Sequence, residues 1–346
     1  MHCKRSTPVY TRTLAACDCR TIECEGKFVR RILVTGGAGN VGGALALALA
    51  RDPNTIVTVV DNFATSQPAK IPVEPHGRIL FIRADVNDWT DISAVMLSQK
   101  FDYVFHYAAL VGVERTLSRP LDVLRDVDGI SNVLKLAKNT GVKRIFFSSS
   151  SEVYGEPVEY PQNEITTPLN SRLPYAVVKN IGEAYIRSYK QEFGLDYTIF
   201  RFFNTYGPRQ SRDFVISKFI RAASEGKPLT LYGGGTQTRT FCYIDDNVDC
   251  AIKCLEDGKA VNEVLNIGSN IETPIFSLAR LVLDVTGSSS PIVDLPPLEE
   301  GDMTRRLPDN SKMKEILGRE LKPLREGISI LAEQFASGER RGPAPC

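Results

Sequence analysis

Residues 31–43 read Arg-Ile-Leu-Val-Thr-Gly-Gly-Ala-Gly-Asn-Val-Gly-Gly, a short apolar strand that runs straight into a glycine-rich turn. Gly36, Gly39 and Gly42 stand at three-residue intervals. The first permits a tight turn, the second lets backbone approach a pyrophosphate, and the third lets the next helix pack close to the strand. That helix is expected over Ala44–Arg51, with free N–H groups and its positive dipole end toward the phosphates. A second apolar strand, Ile56–Val60, ends in Asp61, nineteen positions after Gly42. An acidic residue there can hold the adenosine ribose hydroxyls, and its charge repels a 2′-phosphate. The segment therefore predicts a bound dinucleotide, NAD rather than NADP, with Asn40 and Val41 of the turn counted among its contacts.

The length of 346 residues suits a large α/β domain carrying a smaller lobe. Lys and Arg total 42 against 41 Asp and Glu, so no global field recruits nucleic acid or a membrane surface. No apolar run approaches the roughly 20 residues that span a bilayer. The N-terminus carries no apolar signal core, so a cytoplasmic location is expected. Four of the eight cysteines, Cys3, Cys17, Cys19 and Cys24, fall in the first 30 residues. Their spacing is not the paired C-x-x-C form of a zinc site, so no metal is expected and residues 1–30 read as a polar extension. Cys250 and Cys254 lie four apart on an expected helix and pack as small hydrophobes.

From residue 31 the pattern alternates. Strands are expected at Ile32–Thr35, Ile56–Val60, Ile79–Arg83, Tyr103–His106, Arg144–Ser148 and Tyr197–Phe202. Helices are expected near Ala44–Arg51, Trp89–Ser98, Leu121–Asn139 and Ile181–Phe193. The strands are apolar throughout rather than alternating, as in a parallel sheet covered on both faces. Repeated β-α-β order implies right-handed crossovers and a doubly wound α/β Rossmann sheet over residues 31–204. Beyond Asn204 the loops lengthen, and residues 205–340 are expected to form mainly a smaller, mixed lobe. A helix, Asp246–Glu256, and a strand, Val264–Ile267, are placed back on the main sheet. The lobe would close over the carboxyl ends of the strands and make a cleft.

Tyr175 and Lys179 are four apart on a helix, which sets both side chains on one face. An ammonium beside a phenol favours the phenolate. Bringing a tyrosine from about 10 to about 7 needs roughly 4 kcal/mol of differential stabilisation, expected from Lys179 and the oxidised nicotinamide together. A phenolate so tuned can take a proton from a sugar hydroxyl while hydride leaves to NAD. Upstream, a strand ends in Ser148-Ser149-Ser150-Ser151-Glu152-Val153-Tyr154-Gly155. Hydroxyls at a strand's carboxyl end can bind the group undergoing oxidation, or cap a turn. Glu152 is a candidate general acid or base if it lies near the substrate.

With these motifs the chain resembles the extended short-chain dehydrogenase/reductases, in their branch of nucleotide-sugar epimerases, dehydratases and decarboxylases. The likeness runs from about residue 31 to 335. It rests on Thr35–Gly42, Asp61-Asn62, Asp85-Val86, His106–Ala109, Ser148–Gly155, Tyr175–Lys179, Arg201–Pro208, Thr238–Phe241 and Arg305–Asp309. The resemblance implies that Asn62 joins Asp61 at the cofactor, that Asp85 and Val86 flank the adenine, and that Ala108 and Ala109 line the ribose and nicotinamide. It also implies that Asn204 holds the sugar-nucleotide phosphates and that Arg239 and Arg306 neutralise the diphosphate, with Ser151 and Arg209 counted with the substrate. Arginine's fork geometry suits that task.

All these branches begin by oxidising sugar C4 to a ketone. Ser150-Ser151-Glu152 before Val-Tyr-Gly is similar to the Thr-Ser-Glu of UDP-glucuronate decarboxylases, and Thr236–Tyr243 is close to their second-lobe strand. Leu110–Thr116 and the short loop Gln210–Asp213 depart from that pattern. The best reading is a UDP-glucuronate decarboxylase, with a UDP-sugar 4-epimerase next and an NDP-sugar 4,6-dehydratase third. A non-catalytic NAD-binding regulator is the reading from another class. Helices Leu121–Asn139 and Tyr175–Phe193 match the pair that forms a four-helix dimer interface in the superfamily, so a homodimer is expected.

Overall fold

The computed structural model describes residues 29–296 and 305–340. The four N-terminal cysteines and Cys346 lie outside the described residues. The first half alternates β1 (Arg30–Thr35), α1 (Asn40–Leu49), β2 (Thr55–Asp61), β3 (Ile79–Arg83), α2 (Trp89–Ser98) and β4 (Tyr103–His106). It continues through α3 (Val113–Ser118), α4 (Pro120–Leu124), α5 (Asp126–Thr140), β5 (Arg144–Ser150), α6 (Pro174–Phe193) and β6 (Asp196–Phe202). Then follow β7 (Thr205–Tyr206), α7 (Val215–Ser224), β8 (Leu229–Tyr232), β9 (Thr238–Thr240), β10 (Cys242–Tyr243) and α8 (Ile244–Glu256). The last elements are β11 (Glu263–Ile267), β12 (Glu272–Pro274), α9 (Ile275–Thr286), β13 (Ile292–Leu295), α10 (Ser311–Leu317) and α11 (Leu324–Arg340).

Seven strands form one parallel sheet in the order β11-β6-β5-β4-β1-β2-β3. The chain winds outward from β1 to β3, returns to the other side of β1 as β4, and winds outward again. The doubly wound α/β fold expected from the strand pattern is the one observed. Apolar side chains fill both faces: Leu45, Ile220, Val248 and Leu278 on one, Ile92, Val133, Leu134 and Ile186 on the other. β11 pairs with β6 at the sheet edge, so residues beyond 205 serve the sheet as well as the small lobe. That lobe holds three two-stranded pairings, β10 with β7, β12 with β9 and β13 with β8.

The helix limits differ from the sequence reading, most plainly in α6, which begins at Pro174 rather than Ile181, and in two further places. α1 begins at Asn40, inside the glycine run, because the turn ends at once and Gly39 is the cap. The stretch expected as one helix over Leu121–Asn139 is two, α4 and α5, meeting at Arg125. Pro120 fits the first turn of α4, where its missing N–H has no partner to lose. Gly141, at φ 76°, ends α5 in the left-handed conformation that glycine adopts without strain.

A charged pair lies deep beneath the carboxyl end of β5. Arg201 on β6 donates to both carboxylate oxygens of Glu183 on α6, at 2.9 and 2.8 Å. The two side chains are 1% and 0% exposed. Ser149 donates to the same carboxylate at 2.6 Å, and Arg201 also donates to the Tyr154 hydroxyl at 2.8 Å. Burial alone would raise the Glu183 carboxyl; the hydrogen bonds and charge of Arg201 more than offset it and hold the group below its ordinary value. A carboxylate held low stabilises the fold above its unfolded value of about 4.3, and that stabilisation is lost as pH falls through the lower folded value. Replacing Arg201 by Met removes the bidentate partner of a buried carboxylate and leaves it to Arg187 and Ser149, so Arg201→Met is expected to cost about 3–5 kcal/mol, read as a lower urea midpoint.

Candidate active site

The carboxyl ends of β1 and β4 part at the point where strand order reverses, which is where open α/β sheets bind ligands. A cleft of about 610 Å³ opens there. Two contacts draw its floor together. Thr35, the last residue of β1, accepts from the backbone N–H groups of Tyr107 and Ala108, both at 3.1 Å. With that oxygen occupied as an acceptor, its own hydroxyl donates to His106 Nδ1 at 2.9 Å. Burial keeps His106 neutral, pushing it down to about 3. Gly36 turns the chain at φ 68°, and a Cβ there would stand 2.8 Å from the backbone of Ala108. At Gly42 a Cβ would stand 2.5 Å from the Gly36 carbonyl oxygen. The expected packing role of the third glycine is visible in that contact.

The dinucleotide side of the cleft fits its ligand. Gly39 caps α1 without any side-chain hydrogen bond, and no acidic residue stands in the first turn. The orphan N–H groups of that turn are therefore open to an anion. Asp61, at the end of β2, accepts from Ala38 N at 3.0 Å and from Phe63 N and Ser66 Oγ at 2.8 and 2.7 Å. Three donors hold the carboxylate where a ribose would lie. Asn62, Asp85, Val86, Ala108 and Ala109 line the same cavity. Arg209 is closer to the phosphate turn than a purely substrate-facing residue: its Nε is 3.4 Å from the Gly39 carbonyl oxygen. Asn40 Oδ1 and Arg209 Nη2 are buried with no hydrogen-bond partner. The unpartnered guanidinium donor of Arg209 beside the turn suits a phosphate-bearing ligand.

The residues expected at hydride transfer converge on the opposite wall. Tyr175 and Lys179 share the inward face of α6, the ammonium 5.8 Å from the centre of the Tyr175 ring. Ser150 ends β5, hydrogen-bonds the Tyr175 hydroxyl, and accepts from Glu152 N at 3.2 Å. It caps the next turn and also faces the phenol. Lys179 donates to Ser148 Oγ at 3.3 Å, and Ser148 donates to the His106 carbonyl at 3.3 Å. Burial lowers the Lys179 ammonium to about 8, with Asp126 opposing. It is charged at pH 7 and loses that charge as pH rises through about 8.

The expected drop in the Tyr175 phenol is not what the protein itself produces. Burial first, then the Glu152 charge, raise it above its ordinary value, and the Ser150 hydrogen bond and Arg306 only partly counter them.

Glu152 and Arg306 form the second charged centre, with Glu152 Oε2 2.8 Å from Arg306 Nη2 and side-chain exposures of 29% and 6%. Arg306 also donates to Ser151 Oγ at 2.6 Å. Asn204 reaches the cleft at φ 37°, and its Nδ2 is buried and unbonded. Arg239 is the one expected site residue that does not line the cleft. It sits in β9, whose pairing with β12 sets its backbone opposite Thr273, and its Nη1 donates to the Thr238 carbonyl at 2.8 Å. Sequence reading missed Asp126. This cleft carboxylate accepts from Leu110 N at 2.7 Å and Asn87 Nδ2 at 3.1 Å, and burial raises it. As a helix-start acid it reads as a dipole partner, and only the fold brings it toward Lys179. Among the described residues no group of three His, Cys, Asp or Glu could hold a metal ion.

Residues 32–268 match the NAD dependent epimerase/dehydratase family. The UDP-N-acetyl-alpha-D-glucosaminuronate decarboxylase of Bacillus cytotoxicus is 36% identical over 301 residues, 83% of this chain and 91% of that one. UDP-glucuronic acid decarboxylase 6 of Arabidopsis thaliana is 35% identical over 316 residues, 88% of each chain. Among solved structures, the UDP-glucose 4-epimerase of Thermotoga maritima with UDP-glucose superposes with a TM-score of 0.83 at 31% identity, covering 89% of this chain and 99% of that one. The UDP-glucuronic acid 4-epimerase of Bacillus cereus, with UDP-glucuronic acid and NAD, gives 0.79 at 30% identity, covering 88% and 99%.

Because the Glu152 charge helps raise the phenol, Glu152→Gln is expected to let Tyr175 ionise at lower pH. Ultraviolet difference titration of tyrosinate, with Tyr175→Phe as the blank, reads the shift; an unmoved titration would refute the coupling.

Proposed function

The chain belongs to the NAD dependent epimerase/dehydratase family, and we propose that within it this enzyme decarboxylates a UDP-linked uronate, UDP-glucuronate first. Its cofactor is NAD. The observation that carries the reading is the Glu152–Arg306 pair facing Tyr175 and Ser150 across one cleft. Moving a hydride off C4 and back needs only the Tyr, Lys and Ser groups. A second charged centre is what a further step requires, and its arginine can meet a sugar carboxylate bidentately.

NAD, when bound, takes a hydride from sugar C4 and gives it back, and its positive ring opposes the rise in the Tyr175 phenol. Ser150 orients the C4 hydroxyl and Tyr175 takes its proton, leaving a 4-ketone. The C6 carboxylate is then β to a carbonyl. Its C5–C6 bond breaks, carbon dioxide leaves, and the electron pair moves onto the C4 oxygen as an enolate. The Ser150 and Tyr175 hydroxyls stand where that oxygen develops charge. Arg306, expected from the resemblance at the diphosphate, is assigned here to the carboxylate because it lies against Glu152, and Glu152 stands beside the carbon that regains a proton. Asn204 and Arg209 hold the diphosphate end, and Ser151, bonded to Arg306, faces the sugar. Residues 31–204 carry the cofactor in this scheme and 205–340 mainly face the nucleotide sugar.

A 4-epimerase is the second reading. Its support is the pair of loops that depart from the decarboxylase pattern, joined at Arg115 and Asp213, 3.9 Å apart. We also propose a homodimer built on α4, α5 and α6, supported by Leu121, 76% exposed on α4, and Phe193, 50% exposed at the end of α6. No helix among the described residues is long and apolar enough to cross a membrane; action in the cytoplasm is part of the same proposal.

Purified protein is to be incubated separately with UDP-glucuronate, UDP-glucose, UDP-N-acetylglucosamine and GDP-mannose, and the products weighed. Loss of carbon dioxide from UDP-glucuronate is expected; a new isomer of unchanged mass selects the epimerase, and loss of water the dehydratase. Tyr175→Phe is expected to slow turnover about 10²–10⁴-fold. Elution by size at several concentrations checks the dimer.

A further inference from the structure

Arg306 reaches the cleft from a part of the chain far from the other site residues. We propose that Gln162, which neither lines the cleft nor belongs to any expected site, is the positioning residue that holds Arg306 against Glu152. This deepens the decarboxylase reading and rests on it, because it takes Arg306 to be the group that orients the carboxylate.

The geometry is a clamp on the backbone. Gln162 N donates to the Leu307 carbonyl at 2.7 Å, and Asp309 N donates to the Gln162 carbonyl at 2.8 Å. Leu307 N donates to Gln162 Oε1 at 3.1 Å. Gln162 and Pro308 form a parallel bridge, so the segment is extended there. In extended chain, neighbouring side chains point to opposite sides. Arg305 accordingly turns outward, pairing with Glu272 at 2.7 Å and lying 4.3 Å from the centre of the Tyr160 ring, while Arg306 turns inward to Glu152 and Ser151. A shift of one residue in this pairing would reverse the two. The side-chain bond from Leu307 to Gln162 helps fix that register.

The clamp is tied to the same frame that carries Glu152. Asn266 on β11 donates to the Gln162 carbonyl at 2.8 Å and accepts from the Tyr154 hydroxyl at 2.8 Å. Tyr154 stands two residues after Glu152 and is held by Arg201. Gln162 is itself fully buried, and its Nε2 has no hydrogen-bond partner. An orphan buried donor is a cost to the fold. What the amide contributes is its oxygen, so an apolar side chain of similar length removes the clamp bond and the orphan together. Gln162→Met should therefore fold.

Three readouts test this. In the wild type, hydrogen exchange at the Leu307 and Asp309 amides is expected to be slow; fast exchange there overturns the clamp without any variant. Phenylglyoxal labelling read by peptide mass is expected to modify Arg305 at similar rates in wild type and Gln162→Met, and Arg306 at least fivefold faster in the variant. Equal protection of Arg306 overturns the proposal. With UDP-glucuronate, Gln162→Met is expected to oxidise the sugar within threefold of the wild-type rate, followed as absorbance of reduced NAD, yet to release carbon dioxide at least tenfold more slowly. A general loss of structure would slow both. Gln162→Glu, which keeps an oxygen opposite Leu307 N, is expected to restore both protection and carbon dioxide release, and its failure to do so in a folded protein counts against the clamp. If the wild type releases no carbon dioxide, the decarboxylase reading falls, and labelling and exchange still decide whether Gln162 places Arg306.

Discussion

The Arg201–Glu183 pair is the constraint on which the site depends. Neither charge can be left alone in an interior of this kind without a penalty of several kcal/mol. Each therefore requires the other, and between them they require β6, α6 and β5 to keep one relative position. Ser149 and Arg187 on the carboxylate, and Tyr154 and the Glu164 carbonyl on the guanidinium, add further hydrogen bonds. Glu183 lies one turn beyond Lys179 on α6, and Ser149 is the neighbour of Ser150 on β5. The pair thus sets the helix that carries Tyr175 and Lys179 against the strand that carries Ser150, to within the tolerance of a hydrogen bond. Through Tyr154 and Asn266 the same frame reaches the segment that bears Arg306.

The cofactor side is fixed by a different means, close approach rather than charge. Gly36 and Ala108 nearly touch, Thr35 bridges the ends of β1 and β4, and α1 starts immediately behind. A side chain at either Gly36 or Gly42 would push apart strands whose separation defines the cleft. The glycines act by what they leave out, so the same residues let the cofactor in and let the protein close beneath it.

That difference explains what could be read from the sequence. The glycine spacing, the acid after β2, and the Tyr175–Lys179 interval are local patterns, and local patterns survive in a linear chain. The run of apolar strands made the doubly wound sheet legible for the same reason. Arg306 could be named by its motif, but not its partner, because Glu152 lies 154 positions away and only the fold brings the two together. Arg239 carried an equally good motif, and its place in the β9–β12 pairing keeps it out of the cleft. Asp126 was invisible because a first-turn acid is ordinary on any helix. The rise of the Tyr175 phenol in the protein alone was hidden for a related reason: the i, i+4 interval shows the ammonium, but not the desolvation or the Glu152 carboxylate.

These groups also couple the two halves of the proposed reaction. Glu152 raises the Tyr175 phenol, while Arg306 and the Ser150 hydrogen bond lower it. The Glu152–Arg306 pair therefore acts on the acid–base residue as well as on the carboxylate. A uronate entering the cleft brings a second negative charge to Arg306 and competes with Glu152 for it. The carbon dioxide that leaves is neutral, so the charge of the carboxylate stays behind as the enolate on the C4 oxygen, beside Tyr175. Arg306 is then returned to Glu152, while the phenol faces a new negative charge at its own hydroxyl. The proton affinity of the phenol therefore stays high until C5 takes a proton and the ketone re-forms, and only the loss of the enolate charge lets the phenol give its proton to the C4 oxygen as the hydride returns.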